Sequence, residues 1–355
     1  MSKILAFGTG VLLRGLVADL AERANMQLVM VSQTPSGDDR ARLLNEDNGR
    51  FLLRTRGLSP TGEAIDAEQT VTSIAQALPA ATGWEDALVL AADPDVSLVT
   101  SNVSESGFTP ASPFPGRLAE WLKARWQAGL PGVSILPCEL IEGNGSKLRQ
   151  MVAQVEPDPA FLEWLDSECA FCDTLVDRIC TQDDAELLTA IVEPYCFWAV
   201  AGADSGALGK LAAASNGALL LTDDLPRYML RKLRLLNALH TAMASMGPSE
   251  YGVETVREAL EHPELGSFLE ELLFEELLPT VCPPLEREDA KGYAKVTLSR
   301  MRNPFLVHKL SAIAVGAPAK WESRLLPAMA EYEKRFGHGP ARILRCREAF
   351  LRSSS

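Results

Sequence analysis

The chain has 355 residues, 47% of them hydrophobic, with 34 Lys and Arg against 47 Asp and Glu and a formal net charge of −13. That length accommodates two domains with packed cores, and the negative balance argues against a nucleic-acid surface, which needs basic clusters to displace counterions. No run approaches the roughly 20 apolar residues of a membrane span. The seven cysteines are too sparse, and odd in number, for a disulfide framework. The N-terminus enters an apolar strand without a signal-peptide layout, so the expected setting is cytoplasmic, with no nucleic-acid or membrane partner.

Lys3-Ile-Leu-Ala-Phe7 reads as a short buried strand, Gly8-Thr-Gly10 as a turn and the residues up to Leu20 as a helix. In that context Gly8-x-Gly10 brings backbone amides to a pyrophosphate at a helix N-terminus. A plain turn accounts for the same glycines, and Leu13 stands where the usual fingerprint has its third. Gln27-Leu-Val-Met-Val-Ser-Gln33 is a second strand that completes a βαβ unit. An acidic residue at its end would hold ribose hydroxyls and repel a 2′-phosphate. Here Ser32-Gln33-Thr34 stand, and Asp38 and Asp39 come several residues later, which leaves NAD and NADP both open.

Further strands at 98–101 and 133–137, each preceded by a helical segment (84–91 and 115–128), predict an α/β fold with a doubly wound, mainly parallel, Rossmann-like sheet over residues 1–221. Ligands of such a sheet lie beyond the strand C-termini, where Ser101-Asn-Val-Ser-Glu-Ser-Gly107 and Cys138-Glu-Leu-Ile-Glu-Gly-Asn-Gly145 fall. Cys169-x-x-Cys172 has no second pair at zinc spacing and reads as buried thiols. No metal is expected.

After Leu225 the pattern turns helical, with helices predicted at 227–246, 249–261, 265–278, 286–300, 303–316 and 320–336, punctuated by prolines. Residues 222–355 are therefore expected to form a mainly α-helical substrate and catalytic domain. On its first helix, at about 100° per residue, Lys232 falls with the stripe of Leu233, Leu236, Leu239 and Met243. His240 lies about 80° from it and Asn237 about 140°. Burial there would lower the lysine's pKa toward neutrality and suit it to exchange a proton with a substrate hydroxyl or carbonyl. The same residue can instead snorkel its ammonium to water. The helix is expected to border a cleft between the domains, a common place for small-molecule chemistry.

Together these segments resemble the polyol-specific long-chain dehydrogenases, the family of mannitol dehydrogenase, mannitol-phosphate dehydrogenase and the hexuronate reductases, with the hexuronate reductases nearest. The likeness runs through Phe7-Gly-Thr-Gly-Val-Leu-Leu-Arg14, Ser101 to Gly107, Leu136 to Gly145, Leu175-Val-Asp-Arg-Ile179, Glu193-Pro-Tyr-Cys-Phe-Trp198 and Arg302-Asn-Pro-Phe305. Its most specific element is Lys232-x4-Asn237-x2-His240, which matches the family's catalytic signature. The resemblance implies Lys232 as general acid–base, Asn237 as support for the developing alkoxide and His240 as a binder of substrate oxygens. It implies Gly8, Gly10, Leu12, Arg14, Ser101, Asn102 and Glu105 as cofactor-binding residues, NAD as cofactor with NADP left open, and no metal.

The implied reaction is hydride transfer to a ketohexuronate, tagaturonate to altronate, reversibly. A polyol or polyol-phosphate dehydrogenase with the same helix is the alternative enzyme, and a nucleotide-binding protein without turnover is the alternative outside catalysis. The expected small-molecule partner is a sugar acid or polyol. A monomer is compatible with the sequence, and the assembly state is left open. Two departures from the family stand out. Mannitol dehydrogenases carry an oxyanion asparagine just after the Cys-Asp pair, where this chain has Leu140, so Asn144 is the nearest catalytic candidate or else a turn residue. Cys196 replaces a histidine frequent in the reductases.

Overall fold

A computed structural model describes residues 1–59, 62–183, 185–202 and 206–353. Two compact units emerge: Met1–Arg56 with Asp66–Leu225, and Gly57–Ile65 with Pro226–Ser355. The strands, in chain order, are β1 Lys3–Phe7, β2 Gln27–Val31, β3 Phe51–Leu58, β4 Ala64–Val71, β5 Ile74–Leu78, β6 Val96–Ser101, β7 Ser134–Pro137, β8 Ala170–Phe171, β9 Thr174–Asp177, β10 Cys180–Gln182, β11 Ala190–Val192, β12 Phe197–Val200 and β13 Leu219–Leu221.

The main sheet runs β5-β2-β1-β6-β7-β8 and every recorded pairing in it is parallel. Chain order reverses between β1 and β6, so their carboxyl ends flank the switch-point crevice of a doubly wound fold. Parallel strands with both faces covered must be apolar on both. Accordingly Ile4, Ala6, Leu28 and Met30 enter one core cluster, and Leu5, Phe7, Val29 and Val31 the other. The expected α/β sheet is thus borne out. The sequence reading did not anticipate β5, nor two smaller sheets, β10-β11-β3-β4 and β13-β12-β9.

Helix α1 covers residues 11–23 and is π-wound over Leu13–Ala18. It approaches β10 and β11 so closely that a Cβ on Gly15 would stand 2.6 Å from Val192 and 3.1 Å from the Cys180 sulfur. Gly15 therefore supplies the tight packing that the missing third glycine of the fingerprint would have given. Below it, Asp19 is fully buried and accepts from Arg178 (2.8 Å) and Arg23 (2.8 Å), which ties α1 to the segment after β9. The remaining helices of this unit are α2 Pro35–Glu46, α3 Trp84–Val89, α4 Pro113–Gln127, α5 Asn144–Val155, α6 Pro159–Glu168 and α7 Gly206–Ala214. Thr34 caps α2 by accepting from Gly37 N, and Thr9 donates to Gly37 O at 3.1 Å, which seats that helix on the β1 turn.

The second unit is helical, as expected. Its first helix, α8, spans residues 225–251 and is π-wound over Lys232–Asn237. It is followed by α9 Val256–Glu261, α10 over 263–281, α11 Arg287–Met301, α12 Leu310–Ala314, α13 over 317–336 and α14 Ala341–Ser353. Thr255 and Glu258 form a complete capping box at the start of α9. Two expectations fail here. The helix predicted over 303–316 is confined to Leu310–Ala314, because Asn303-Pro304 makes a turn in which the Asn303 side chain accepts from Phe305 N at 3.0 Å. The helix α14 lies where no helix was predicted. Among the described residues no helix is long and apolar enough to cross a membrane.

Candidate active site

The β1 turn and the β6 loop meet at the switch point. Gly8 adopts φ +129°, where a side chain is strained, and a Cβ there would stand 3.0 Å from the carbonyl oxygen of Asn102 and 3.0 Å from Leu13. Asn102 N donates to Phe7 O at 3.1 Å and Gly8 N to Val31 O at 2.7 Å. A Cβ on Gly10, in contrast, would meet nothing within 4 Å. Gly10 therefore leaves backbone open at the start of α1, the arrangement a pyrophosphate needs. Asn102 is half-buried, and among the described residues its carboxamide has no hydrogen-bond partner. These three positions fit a dinucleotide.

Other expected cofactor residues serve the scaffold. Arg14 is fully buried; it donates to the Leu188 carbonyl and to Gln182 (3.4 Å), lies over the Phe51 ring, and burial lowers its pKa to about 10. It has no surface left for a phosphate, so its assignment as a cofactor ligand is corrected. Leu12 is half-buried against the core. Ser101 is 1% exposed and spends its hydroxyl on Glu139. The side chain of Glu105 lies outside the described residues. At the end of β2, Ser32 donates to Asp38, so the first turn of α2 returns a carboxylate to the place where sequence spacing found none.

Asn144 is also corrected. It is fully buried, its amide nitrogen donates to the carbonyls of Pro137 (3.0 Å), Glu139 (3.0 Å) and Thr174 (3.2 Å), and its oxygen accepts from Gly145 N and Thr174 N. Every polar valence is used in joining the β7 end to β9, and none remains for an alkoxide. Leu140, where mannitol dehydrogenases place an asparagine, is 66% exposed. Cys196 is half-buried beside Arg178, and burial pushes its thiol up. Cys169 and Cys172 are both pushed up to about 11 by burial, as befits inert thiols.

In the helical unit the winding of α8 matters. An α-helix would set Lys232 and Asn237 about 140° apart. A π-turn bonds i to i+5 and holds roughly one more residue per turn, so residues five apart return to nearly the same side. The turn over Lys232–Asn237 does this, and His240, three residues on in α-geometry, continues the edge. Lys232 and Asn237 are half-buried, and His240 is 7% exposed. The lysine thus has more access to solvent than the predicted enclosure. Among the described residues the Asn237 carboxamide has no hydrogen-bond partner, while its backbone carbonyl accepts from Thr241 Oγ1 at 3.0 Å.

Sequence reasoning missed His308. The shortened helix leaves it in the loop after Pro304, where its ring meets the His240 ring edge-on at 4.9 Å. Partial desolvation, and then the charge of Lys320, hold it below the ordinary imidazole value. The signal available was the Asn-Pro turn. Lys320 donates to Ile313 O at 2.8 Å and lines a hollow of about 200 Å³ with Thr241, Ser245, Ile313, Ala317 and Phe350. Arg302 is paired with Glu270, and Lys309 is exposed.

Residues 2–212 match the mannitol dehydrogenase Rossmann domain and residues 224–346 the mannitol dehydrogenase C-terminal domain. The chain belongs to the mannitol dehydrogenase family. It is 33% identical to altronate oxidoreductase of Bacillus subtilis (strain 168), over 96% of this chain and 77% of that protein. Its fold matches that of substrate-free D-sorbitol dehydrogenase (TM-score 0.84, 21% identity, 98% of this chain and 79% of that one). It also matches Pseudomonas fluorescens mannitol 2-dehydrogenase in complex with NAD and D-mannitol (TM-score 0.78, 18% identity, 98% and 78%). As a member of the mannitol dehydrogenase family the protein is an oxidoreductase acting on CH–OH groups, with a nicotinamide-type nucleotide as cofactor.

Proposed function

We propose that the protein is an NAD-linked reductase of a ketohexuronate, taking tagaturonate to altronate reversibly, with Lys232 as the proton donor. What supports the reading is the π-winding over Lys232–Asn237, a geometry in which residues five apart can share one edge of α8, with His240 following. The likeness to altronate oxidoreductase supports the substrate class.

A bound nicotinamide supplies the hydride. Lys232, as the ammonium, gives its proton to the ketone oxygen as that oxygen gains charge, and in the reverse direction neutral Lys232 takes the hydroxyl proton. The unbonded Asn237 carboxamide donates to the same oxygen, a bond that strengthens as charge develops and so favours the transition state over the ground state. His240 holds a neighbouring hydroxyl. Lys320, whose charge acts on His308 beside His240, is the cation offered for a substrate carboxylate. On the cofactor side, Gly8, Gly10 and Asn102 are the groups that would hold the dinucleotide. Asp38 at the end of β2 favours NAD, since a carboxylate there repels a 2′-phosphate.

The test is NADH oxidation by purified protein with tagaturonate, fructuronate and fructose, and NAD reduction with altronate, mannitol and mannitol 1-phosphate. Turnover of tagaturonate and altronate above the others is expected. If both are inert while a neutral polyol or its phosphate reacts, the substrate assignment is wrong and the polyol reading takes its place.

A further inference from the structure

One buried carboxyl holds the wall of the nucleotide crevice. Glu139, just beyond β7 and 5% exposed, accepts from the Ser101 hydroxyl at 3.0 Å with one oxygen and from the Val103 amide at 2.9 Å with the other. Cys138 N donates to Ser101 O at 2.8 Å, and Asn102 N to Phe7 O at 3.1 Å. The carboxyl therefore fixes the course of the β6 loop at the point where it touches Gly8.

Its surroundings are almost free of charge. The Thr100 and Ser101 hydroxyls come from β6, the Cys138 thiol from the β7 end, and the Asn144 amide, from α5, donates to the Glu139 carbonyl. Burial pushes the Cys138 thiol far up, so it is neutral. No cation pairs with Glu139 among the described residues, and the side chain of Glu105 is not among them. Burial raises the Glu139 carboxyl to about 7, against the opposing hydrogen bonds from Val103 and Ser101.

Both ionisation states keep the brace. A carboxylate accepts both hydrogen bonds, and a neutral acid accepts from Val103 while its own hydroxyl donates to Ser101, whose hydroxyl reverses. Only the charge differs. A dinucleotide brings two phosphate charges to the crevice, and an unpaired carboxylate in its wall opposes them through a poorly screening interior. We propose that Glu139 is the positioning residue of the cofactor loop and that it takes up a proton when an anionic dinucleotide binds. The proposal rests on the reading of the β1/β6 crevice as the dinucleotide site.

NADH binding is measured by fluorescence titration at about pH 6 and about pH 8, and proton uptake by calorimetry in two buffers of different ionisation enthalpy. The wild-type protein is expected to lose roughly three- to tenfold in affinity from the lower to the higher pH, with net proton uptake. Glu139→Gln keeps the brace through its carbonyl and amide, so it should bind as the wild type does at the lower pH, without pH dependence or proton uptake. Glu139→Leu removes the brace and should bind at least about tenfold more weakly at both. A flat or opposite wild-type profile, a slope that persists in Glu139→Gln, or a folded Glu139→Leu that binds normally would overturn the proposal. Absence of NADH binding by the wild-type protein at both pH values contradicts the dinucleotide reading itself, and the proposal with it.

Discussion

In the β1/β6 crevice the groups offered to a ligand are mainly backbone, set by the φ of Gly8, the open approach at Gly10 and the Asn102 peptide. Along α8 they are side chains, Lys232, Asn237 and His240, and the backbone contributes only the winding that gathers them. The difference separates tolerance from chemistry. A backbone cradle fails through sterics and strain, so its mutations should change affinity, and fold as well where the backbone itself is strained. A side-chain edge fails through lost proton transfer or a lost donor, so its mutations should change turnover and leave the fold intact.

The largest effect should come from the scaffold beneath the crevice. Asp19→Ala leaves Arg178 buried without its carboxylate and should lower stability by about 3–5 kcal/mol in urea unfolding. A loss below about 1 kcal/mol would remove the pair as the tie between α1 and β9.

The two asparagines give the next contrast. Asn237→Ala should reduce kcat by about 10²-fold at unchanged stability. Asn144→Ala should lower stability by about 1–3 kcal/mol, because the Pro137 and Glu139 carbonyls and the Thr174 amide lose a partner. Should Asn144→Ala fold normally and lose turnover as Asn237→Ala does, Asn144 serves the reaction and not the loop.

The glycines give the smallest. Gly10→Val places its side chain in open space and should keep stability within about 1 kcal/mol while weakening NADH binding about tenfold. Gly8→Val should lower both, because its backbone is strained for a side chain and Asn102 stands in the way. An unchanged dissociation constant in folded Gly10→Val would exclude Gly10 from the phosphate approach.

Much of this was legible in the sequence, for local reasons. The strand, turn and helix at Lys3–Leu20 announce themselves by apolar runs and glycines, and Lys232-x4-Asn237-x2-His240 by spacing. Strands β5 and β9 to β13 were not legible, because strands of three to five residues are fixed by distant partners rather than by their own pattern, and the eight-residue β3 and β4 also went unread. The π-turn in α8 leaves no mark in composition, so a uniform 100° wheel does not describe the step from Lys232 to Asn237. Asn144 and Arg14 were misread for a shared cause, since a polar residue in a motif can serve the ligand or the loop, and only its hydrogen bonds tell which. His308 was hidden by a helix predicted through Asn303-Pro304.

The most direct test of the division between cradle and edge is one variant with two readouts. Lys232→Ala should bind NADH with a dissociation constant within about twofold of the wild type while its turnover falls by about 10²–10⁴-fold. Turnover close to that of the wild type would remove Lys232 from the mechanism, and a parallel collapse of NADH binding would show that the catalytic edge and the nucleotide cradle do not divide the work as described.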